Sequence, residues 1–433
     1  MTYKNHTSEL NSPQVNNMNL LQKPATIAYL APEIPALSAT FVYEEMFGLQ
    51  DLGYSILPIS VHKAIHPAKG CEQLISRTNY LYDQAPLKVV LSGLLQLHFL
   101  GFGALKALRL LLSDLVRCGL HRLETWKLAF QFLVAVKLAL LLKSNRCSHL
   151  HVHFAHVPSQ IAMYASSMSG IPFTIMAHAN DIFERGLLLQ QKADRAVKLL
   201  TISEFNRAYL EDIGVPKDKL AVVRCGVSFP ILPPNRPFEK KLRYRLGTLG
   251  RLVEKKGVDV LIRAIAALQD RPYKIELSIA GDGPLREELE TLARVLGIAQ
   301  FTKFEGALAH GDVATWMQGL DAVVLACKKD KNGDMDGIPV VLMEAMSQSV
   351  PVISTRISGI PELIIHDHTG LLAKPDDCQD LAIQIDRLME SAELRERLVG
   401  EAAEHVKQEF GRNVNLRRLL KHFPTDTQLG AIF

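Results

Sequence analysis

Residues 333–362 read GDMDGIPVVLMEAMSQSVPVISTRISGIPE, and the fold turns on this stretch. It divides into a loop ending at Asp336-Gly337, a short helix from about Ile338 to Ser347, a buried strand from Val350 to Thr355, and a second helix opening at Gly359-Ile360-Pro361-Glu362. The start of a helix leaves backbone N–H groups without intrahelical partners at the positive end of its dipole, which suits a phosphate. Glu344 falls inside an apolar run, with Val340 to Met343 before it and Ala345-Met346 after. A carboxylate there needs a partner or a ligand, because an unpaired buried charge is too costly. Asp336 stands at the mouth of the same helix. Two carboxylates bracketing an anion-binding helix start suit a sugar nucleotide, with acids on its hydroxyls and amides on its phosphates. A local cap or salt bridge at Glu344, with Asp336 a turn residue, is the competing reading.

Composition sets the bounds. At 433 residues the chain accommodates two domains of about 200 residues each. An apolar content of 48% and a charged content of 22% are ordinary for a folded protein, and a net charge of +4 gives no indication of a nucleic-acid partner. The six cysteines are scattered without a CxxC, which favours a reducing compartment and argues against a zinc site. The polar, Asn-rich start has no apolar core, so residues 1–23 read as a disordered leader and the protein is expected in the cytoplasm.

Residues 24–226 open as a doubly wound α/β domain, with a strand at Ala25–Leu30, a loop, and a helix from about Ala39 to Leu52. In Ser38-Ala39-Thr40-Phe41-Val42-Tyr43-Glu44-Glu45, Ser38 or Thr40 is placed to cap the helix, with Glu44 or Glu45 in its first turn. Residues 84–145 hold two long apolar, basic helical patterns, roughly Lys88–Arg117 and Leu123–Lys143. The second approaches the length of a membrane span, but Lys127, Gln131 and Lys137 interrupt it, which favours a buried or interfacial helix over a transmembrane one. The excess of cations suits either packing on the sheet or docking on anionic headgroups. His149, His151 and His153 alternate along the next strand and share a face. Their spacing of about 7 Å is too wide for all three to bind one ion. Phe173–Ala177 is another strand, ending in His178-Ala179-Asn180-Asp181, where an open sheet presents its ligands.

Four prolines within residues 227–242 mark a linker. The α/β alternation then restarts over residues 243–405 with a strand at Arg243–Leu249. Gly250-Arg251-Leu252-Val253-Glu254-Lys255-Lys256-Gly257 follows, leading into an amphipathic helix. A strand at Ile275–Ala280 ends in Gly281-Asp282-Gly283-Pro284, a weak signal by itself. Lys328–Asp336 resembles a calcium loop, but the acid required at its twelfth position is Met343. Residues 406–433 form a return helix and tail.

These motifs, in this order, resemble retaining glycosyltransferases of the two-Rossmann (GT-B) type, in the large family 4 of bacterial polysaccharide and lipopolysaccharide transferases. That family usually spaces two glutamates by seven residues. Here the pair is Asp336 and Glu344, and the first side chain is one methylene shorter. The resemblance implies two Rossmann-like domains facing a cleft, with a C-terminal helix crossing back. It implies Arg251 and Lys256 on the donor diphosphate, together with the amides at Gly337, Ile338 and Pro339, and with Gly281 and Gly283 near the nucleoside. Glu344 falls on the ribose and Asp336 on the donor sugar's hydroxyls. His153 or His178 lies beside the anomeric centre, and Ser38, Thr40, Glu44 and Asp181 lie on the acceptor side.

The function implied is metal-independent, retaining sugar transfer without a cofactor, from a nucleotide-sugar donor to a saccharide or lipid-linked saccharide. An anionic membrane surface is a possible further partner. A nucleotide-sugar epimerase of the same fold and a non-catalytic sugar-nucleotide-binding partner are the alternatives.

Overall fold

The computed structural model describes residues 26–36, 39–65, 67–68, 70–229 and 238–424. The leader, Ser38 and residues 230–237 of the proline-rich linker lie outside the described residues. The first lobe is built on Thr26–Glu33 (β1), Ser55–His62 (β2), Asn79–Tyr80 (β3), Cys147–His153 (β4), Phe173–Ala177 (β5), Leu199–Thr201 (β6) and Leu220–Val222 (β7). They form one parallel sheet in the order β3-β2-β1-β4-β5-β6-β7. The second lobe carries Arg243–Leu249 (β8), Lys274–Ala280 (β9), Thr302–Gly306 (β10), Ala322–Val324 (β11), Val352–Thr355 (β12) and Leu371–Ala373 (β13). These are again parallel, in the order β10-β9-β8-β11-β12-β13. A parallel sheet is covered on both faces, so its strands read as unbroken apolar runs, and every residue of β5 and β12 is buried. Strand order reverses between β1 and β4 in one lobe and between β8 and β11 in the other. Beyond the carboxyl ends of strands at such a reversal an open sheet has a natural crevice.

The helices that matter for the site are Thr40–Asp51 (α1), Pro86–Gln96 (α2), Gly101–Cys118 (α3), Leu123–Ser144 (α4), Val157–Ser169 (α5), Glu204–Asp212 (α6), Val258–Ala266 (α7), Val340–Ser347 (α8) and Arg412–Leu420 (α9). The single helix expected over 88–117 is two. A 3-10 turn at Leu97–Leu100 and Gly101, at φ +50°, break it and redirect the chain. α4 is long and apolar enough to cross a membrane by length and composition, yet its central residues from Phe132 to Ala139 are largely buried within the lobe. Lys137, the cation in its middle, extends outward to the Tyr80 carbonyl (2.7 Å) and to Asp83 (2.6 Å).

The C-terminal helix crosses back, as the resemblance implies. The missing side chain of Gly48 in α1 leaves room for Leu416, which a Cβ there would meet at 2.5 Å. Arg412 reaches Glu44 (3.4 Å) and Asp51 (3.3 Å) from the same face. Phe423 packs its ring 4.5 Å from that of His149, tilted by 39°. One apolar core therefore joins the lobes, including Met46 and Ile202 from the first and Ile338 and Met346 from the second, with Leu416 between.

Candidate functional site

At the carboxyl end of β4, beside the first reversal, one carboxylate gathers the local hydrogen bonds. Glu45 Oε1 accepts from the Tyr29 hydroxyl at 2.8 Å and from His153 Nε2 at 3.2 Å, and His151 Nε2 faces it at 3.4 Å. His153 Nδ1 lies 3.2 Å from His178 Nε2. Thr174 Oγ1 bridges the other two rings, 2.7 Å from His151 Nδ1 and 2.9 Å from His149 Nε2. Burial alone would raise the Glu45 carboxyl, but the imidazoles of His153 and His151 outweigh it and hold it well below the usual carboxylate range. Burial, with His153 adding to it, keeps His178 neutral far below the ordinary histidine value.

Sequence reasoning put the three β4 histidines together and missed Glu45. The structure instead brings Glu45, His151 and His153 together, with one ligating atom of each within 4.8 Å of the others. A pattern within one strand does not show which helix residue faces it. The only hint was that Glu45 follows Phe41 by four positions, on the turn that also carries the ring packed 4.5 Å from His178.

At the second reversal, the turn after β8 and the loop after β11 face each other. Lys256 Nζ lies 2.7 Å from Asp336 Oδ2, and Lys255 Nζ 2.7 Å from Asp334. Burial would strip the proton from Lys256, yet Asp336 beside it prevails and raises its pKa. Asp336, pushed up by burial, is in turn held below the usual carboxylate range by Lys256 and Lys255. The Cys327 thiol also donates to Asp336, at 3.4 Å. Asp336 is therefore engaged by a cation of the expected clamp. Lys255, Asp334 and Cys327 belong to this cluster and were not singled out from sequence. Arg251 is exposed at the start of the turn.

Several expected roles change. Gly281 and Gly283 are required by backbone packing: a Cβ on Gly281 would overlap the Gly250 carbonyl, and one on Gly283 would sit 2.5 Å from the Leu252 carbonyl. Asp181 is fully buried and its oxygens are spent on the amides of Ala155 (2.6 Å), His178 (3.0 Å) and Ala179 (2.9 Å), so it shapes the His178 turn and has no oxygen left for an acceptor. Thr40 is the first residue of α1, whose N-cap is Ala39, and it caps nothing.

α8 begins at Val340 with no side-chain cap. Pro339 has no N–H, so an anion there would meet the amides of Gly337, Ile338, Val340 and Val341 instead. The helix at Gly359 is one turn, Ile360–Leu363. It offers no phosphate site, because Gly359 packs so closely that a Cβ would lie 2.8 Å from both Ile338 and Ser203. Glu362 accepts instead from the Glu204 (3.0 Å) and Phe205 (2.9 Å) amides at the start of α6, and from Arg224 at 2.9 Å.

The lobes meet along this line. Gly337 packs against Ile202 and the His178 carbonyl, and Asn180 donates to Asp334 across the divide at 3.3 Å. This contact brings the Lys256–Asp336 pair toward the histidine network. Glu344, half-buried on α8, lines a separate part of the cleft, a space of about 230 Å³ shared with Thr40 and Glu44 of the first lobe. Asp336 and Glu344 bracket the helix start in sequence but face different surroundings.

Two parallel α/β lobes with strand ends turned to one cleft, closed by a returning helix, define the GT-B fold, and a half-buried lysine at a sheet reversal suits an anionic ligand. Residues 235–405 match the family described as Glycosyl transferases group 1, and residues 112–229 match Glycosyltransferase Family 4. Together the two matches span most of both lobes, so the chain carries both regions of a glycosyltransferase. It is 28% identical over 421 residues to WcaL of Escherichia coli K12, named as a colanic acid biosynthesis glycosyltransferase, covering 91% of this chain and 98% of that one. It is also 28% identical over 417 residues to the amylovoran biosynthesis glycosyltransferase AmsK of Erwinia amylovora, with the same coverage. Among solved structures, Anabaena Alr3699/HepE in complex with UDP and glucose superposes with a TM-score of 0.69 at 17% identity, covering 92% of this chain and 98% of that one.

Proposed function

We propose that this glycosyltransferase moves a sugar, with retention and without a metal, from a nucleoside diphosphate sugar to a saccharide acceptor carried on a lipid, in assembly of a bacterial surface polysaccharide. The observation that carries the donor reading is the Lys256–Asp336 pair, 2.7 Å apart at the sheet reversal and beside the inter-lobe contact. A diphosphate entering there competes with Asp336 for the ammonium. Once Lys256 turns to phosphate, Asp336 is released to accept from the donor sugar's hydroxyls. Lys256, Arg251 and the leading amides of α8 stabilise the departing diphosphate as its charge develops. The departing phosphate oxygen takes the acceptor proton on the same face. Glu344 holds the ribose, and His178, oriented through His153 by Glu45, sits by the anomeric centre. The colanic acid and amylovoran relatives support the polysaccharide setting, and the six unpaired cysteines suit a reducing cytoplasm.

Thermal shift against a panel of nucleotide sugars identifies the donor, since a ligand bound only to the folded state raises its melting temperature. NMR of the product then reads the anomeric configuration, and transfer is expected to persist in excess chelator. An epimerised donor formed without acceptor, inversion, or complete loss of transfer on chelation each defeats the corresponding part of the reading.

A further inference from the structure

The first lobe carries a surface that its fold does not use. Of 23 exposed large apolar side chains among the described residues, 13 fall between Leu87 and Trp126. Five sit on α3, at Phe102, Leu105, Leu108, Leu112 and Val116, a spacing that forms one face. The opposite face of the same helix is already packed. A Cβ on Gly103 would overlap the Met168 carbonyl of α5, and Asp114 is bound by Tyr164 (2.8 Å) and by Arg195 (2.6 and 2.7 Å). α2 repeats the arrangement, with Gly93 against Leu133 on its inner side and Leu87, Leu91, Leu94 and Leu95 exposed. Phe99 lies in the turn between the two helices, 66% exposed, and Phe102 is 84% exposed. Since the inner faces are specifically seated, the outer leucines and phenylalanines are surplus to the core, and apolar patches of this extent mark a binding surface.

The charges around it select the occupant. Lys88, Lys106, Arg109, Arg117, Arg122 and Lys127 are all exposed, and among the described residues none of them is in an ion pair. The acids of residues 84–127 are Asp114, which is buried, and Glu124. A second copy of the chain seated here would bring like charges together. An anionic bilayer instead accepts the apolar side chains below its headgroups while the cations meet those headgroups. Trp126, its indole bonded to the Leu120 carbonyl and its ring 58% exposed, suits the boundary between the two.

We infer that α2, α3 and the first turn of α4 form a monotopic docking surface that seats the first lobe in the interface of an anionic membrane. α3 lies along α5, the helix that follows His153, so docking holds the acceptor-side lobe at the lipid surface. This deepens the reading of a lipid-carried acceptor and rests on it for its purpose, though not for its physics.

The test is flotation of the full-length protein with vesicles of phosphatidylcholine alone or with about one third phosphatidylglycerol. Wild type is expected to float with the anionic vesicles, and 0.5 M salt should weaken that binding several-fold. Leu95→Ser with Phe102→Ser should cut partition at least tenfold. Lys106→Glu with Arg109→Glu should erase the preference for anionic lipid. Both variants should keep the melting temperature and the transfer rate to a water-soluble acceptor, because these side chains are on the surface and outside the cleft. Failure of wild type to float overturns the inference even if transfer is intact. So does a wild-type dimer that the Leu95/Phe102 variant converts to monomer. Flotation without sugar transfer would leave the membrane inference standing and defeat the proposed reaction.

Discussion

Glu45 Oε1 receives the Tyr29 and His153 protons and faces His151, so its charge orders the tautomers of the surrounding rings. Glu45→Gln removes the counter-charge and places an amide where only an acceptor fits. We expect about 1–3 kcal/mol of lost stability, read as a lower urea midpoint, because buried donors lose their partner. The pH dependence follows from the same groups. His149 and His178 are held neutral well below 6.5, and burial, aided by the charges of Lys192 and Arg185, brings His156 down to about 4. Below 6.5 the unfolded histidines bind protons that the folded ones refuse. Their contribution is therefore complete above 6.5 and is lost as pH falls toward 4. Glu45, with its folded pKa depressed, contributes above its unfolded value of 4.5 and loses that contribution at more acid pH. Melting temperature should fall between pH 7 and pH 5 before any carboxylate titrates, and a flat profile over that range would contradict the burial of these rings. Lys256→Ala should lower kcat/KM by about 10²–10³, the cost of one preorganised charge stabiliser, and should also lower the melting temperature, because it leaves Asp336 without its closest cation.

The elements show where residue type is dictated by backbone rather than by ligand. Gly281 sits at φ +120° with the Gly250 carbonyl where a side chain would begin. Gly281→Ala is strained in both conformation and space, and should cost about 2 kcal/mol or more, lowering the melting temperature by several degrees. If Gly281 served nucleoside contact alone, the variant would melt as wild type and lose only donor affinity. α8 illustrates the opposite case. Its uncapped first turn follows Gly337, which lies against Ile202 and the His178 carbonyl, so the helix start is aimed into the inter-lobe contact. α3 is apolar on two faces, with one partner inside the fold and a second face turned outward.

Over the whole molecule, the lobes are joined by the returning α9 and by a small number of directed bonds. Glu362, from the second lobe, accepts two amides of α6 and the Arg224 guanidinium, and hydrogen bonds to charged groups contribute about 1.5–3 kcal/mol each. Glu362→Ala should loosen lobe closure. It should appear as a larger radius in solution scattering and a raised KM for donor, with the secondary structure retained. An unchanged radius and KM would show that the shared apolar core alone sets the closure.

The amino-acid pattern by itself determined the two α/β lobes and their parallel sheets, and the resemblance it carries implied the returning helix. Apolar strand runs, the proline cluster in residues 227–242 and the glycine turns are local signals, and local sterics and burial are sufficient to produce them. It also placed His153 and His178 at strand ends, Lys256 in the turn after β8 and Asp336 at the mouth of α8. Only the tertiary structure decided their partners. Asp336 turned to Lys256, Asp181 to three amides, Glu362 to the other lobe, and Glu45 became the centre of the histidine network. Apart from the two amides that Asp181 takes within its own turn, each pairing joins positions distant along the chain, as Glu45 and His153 are across 108 residues. Periodicity within one element shows which face a side chain occupies. What stands opposite that face depends on how the elements pack.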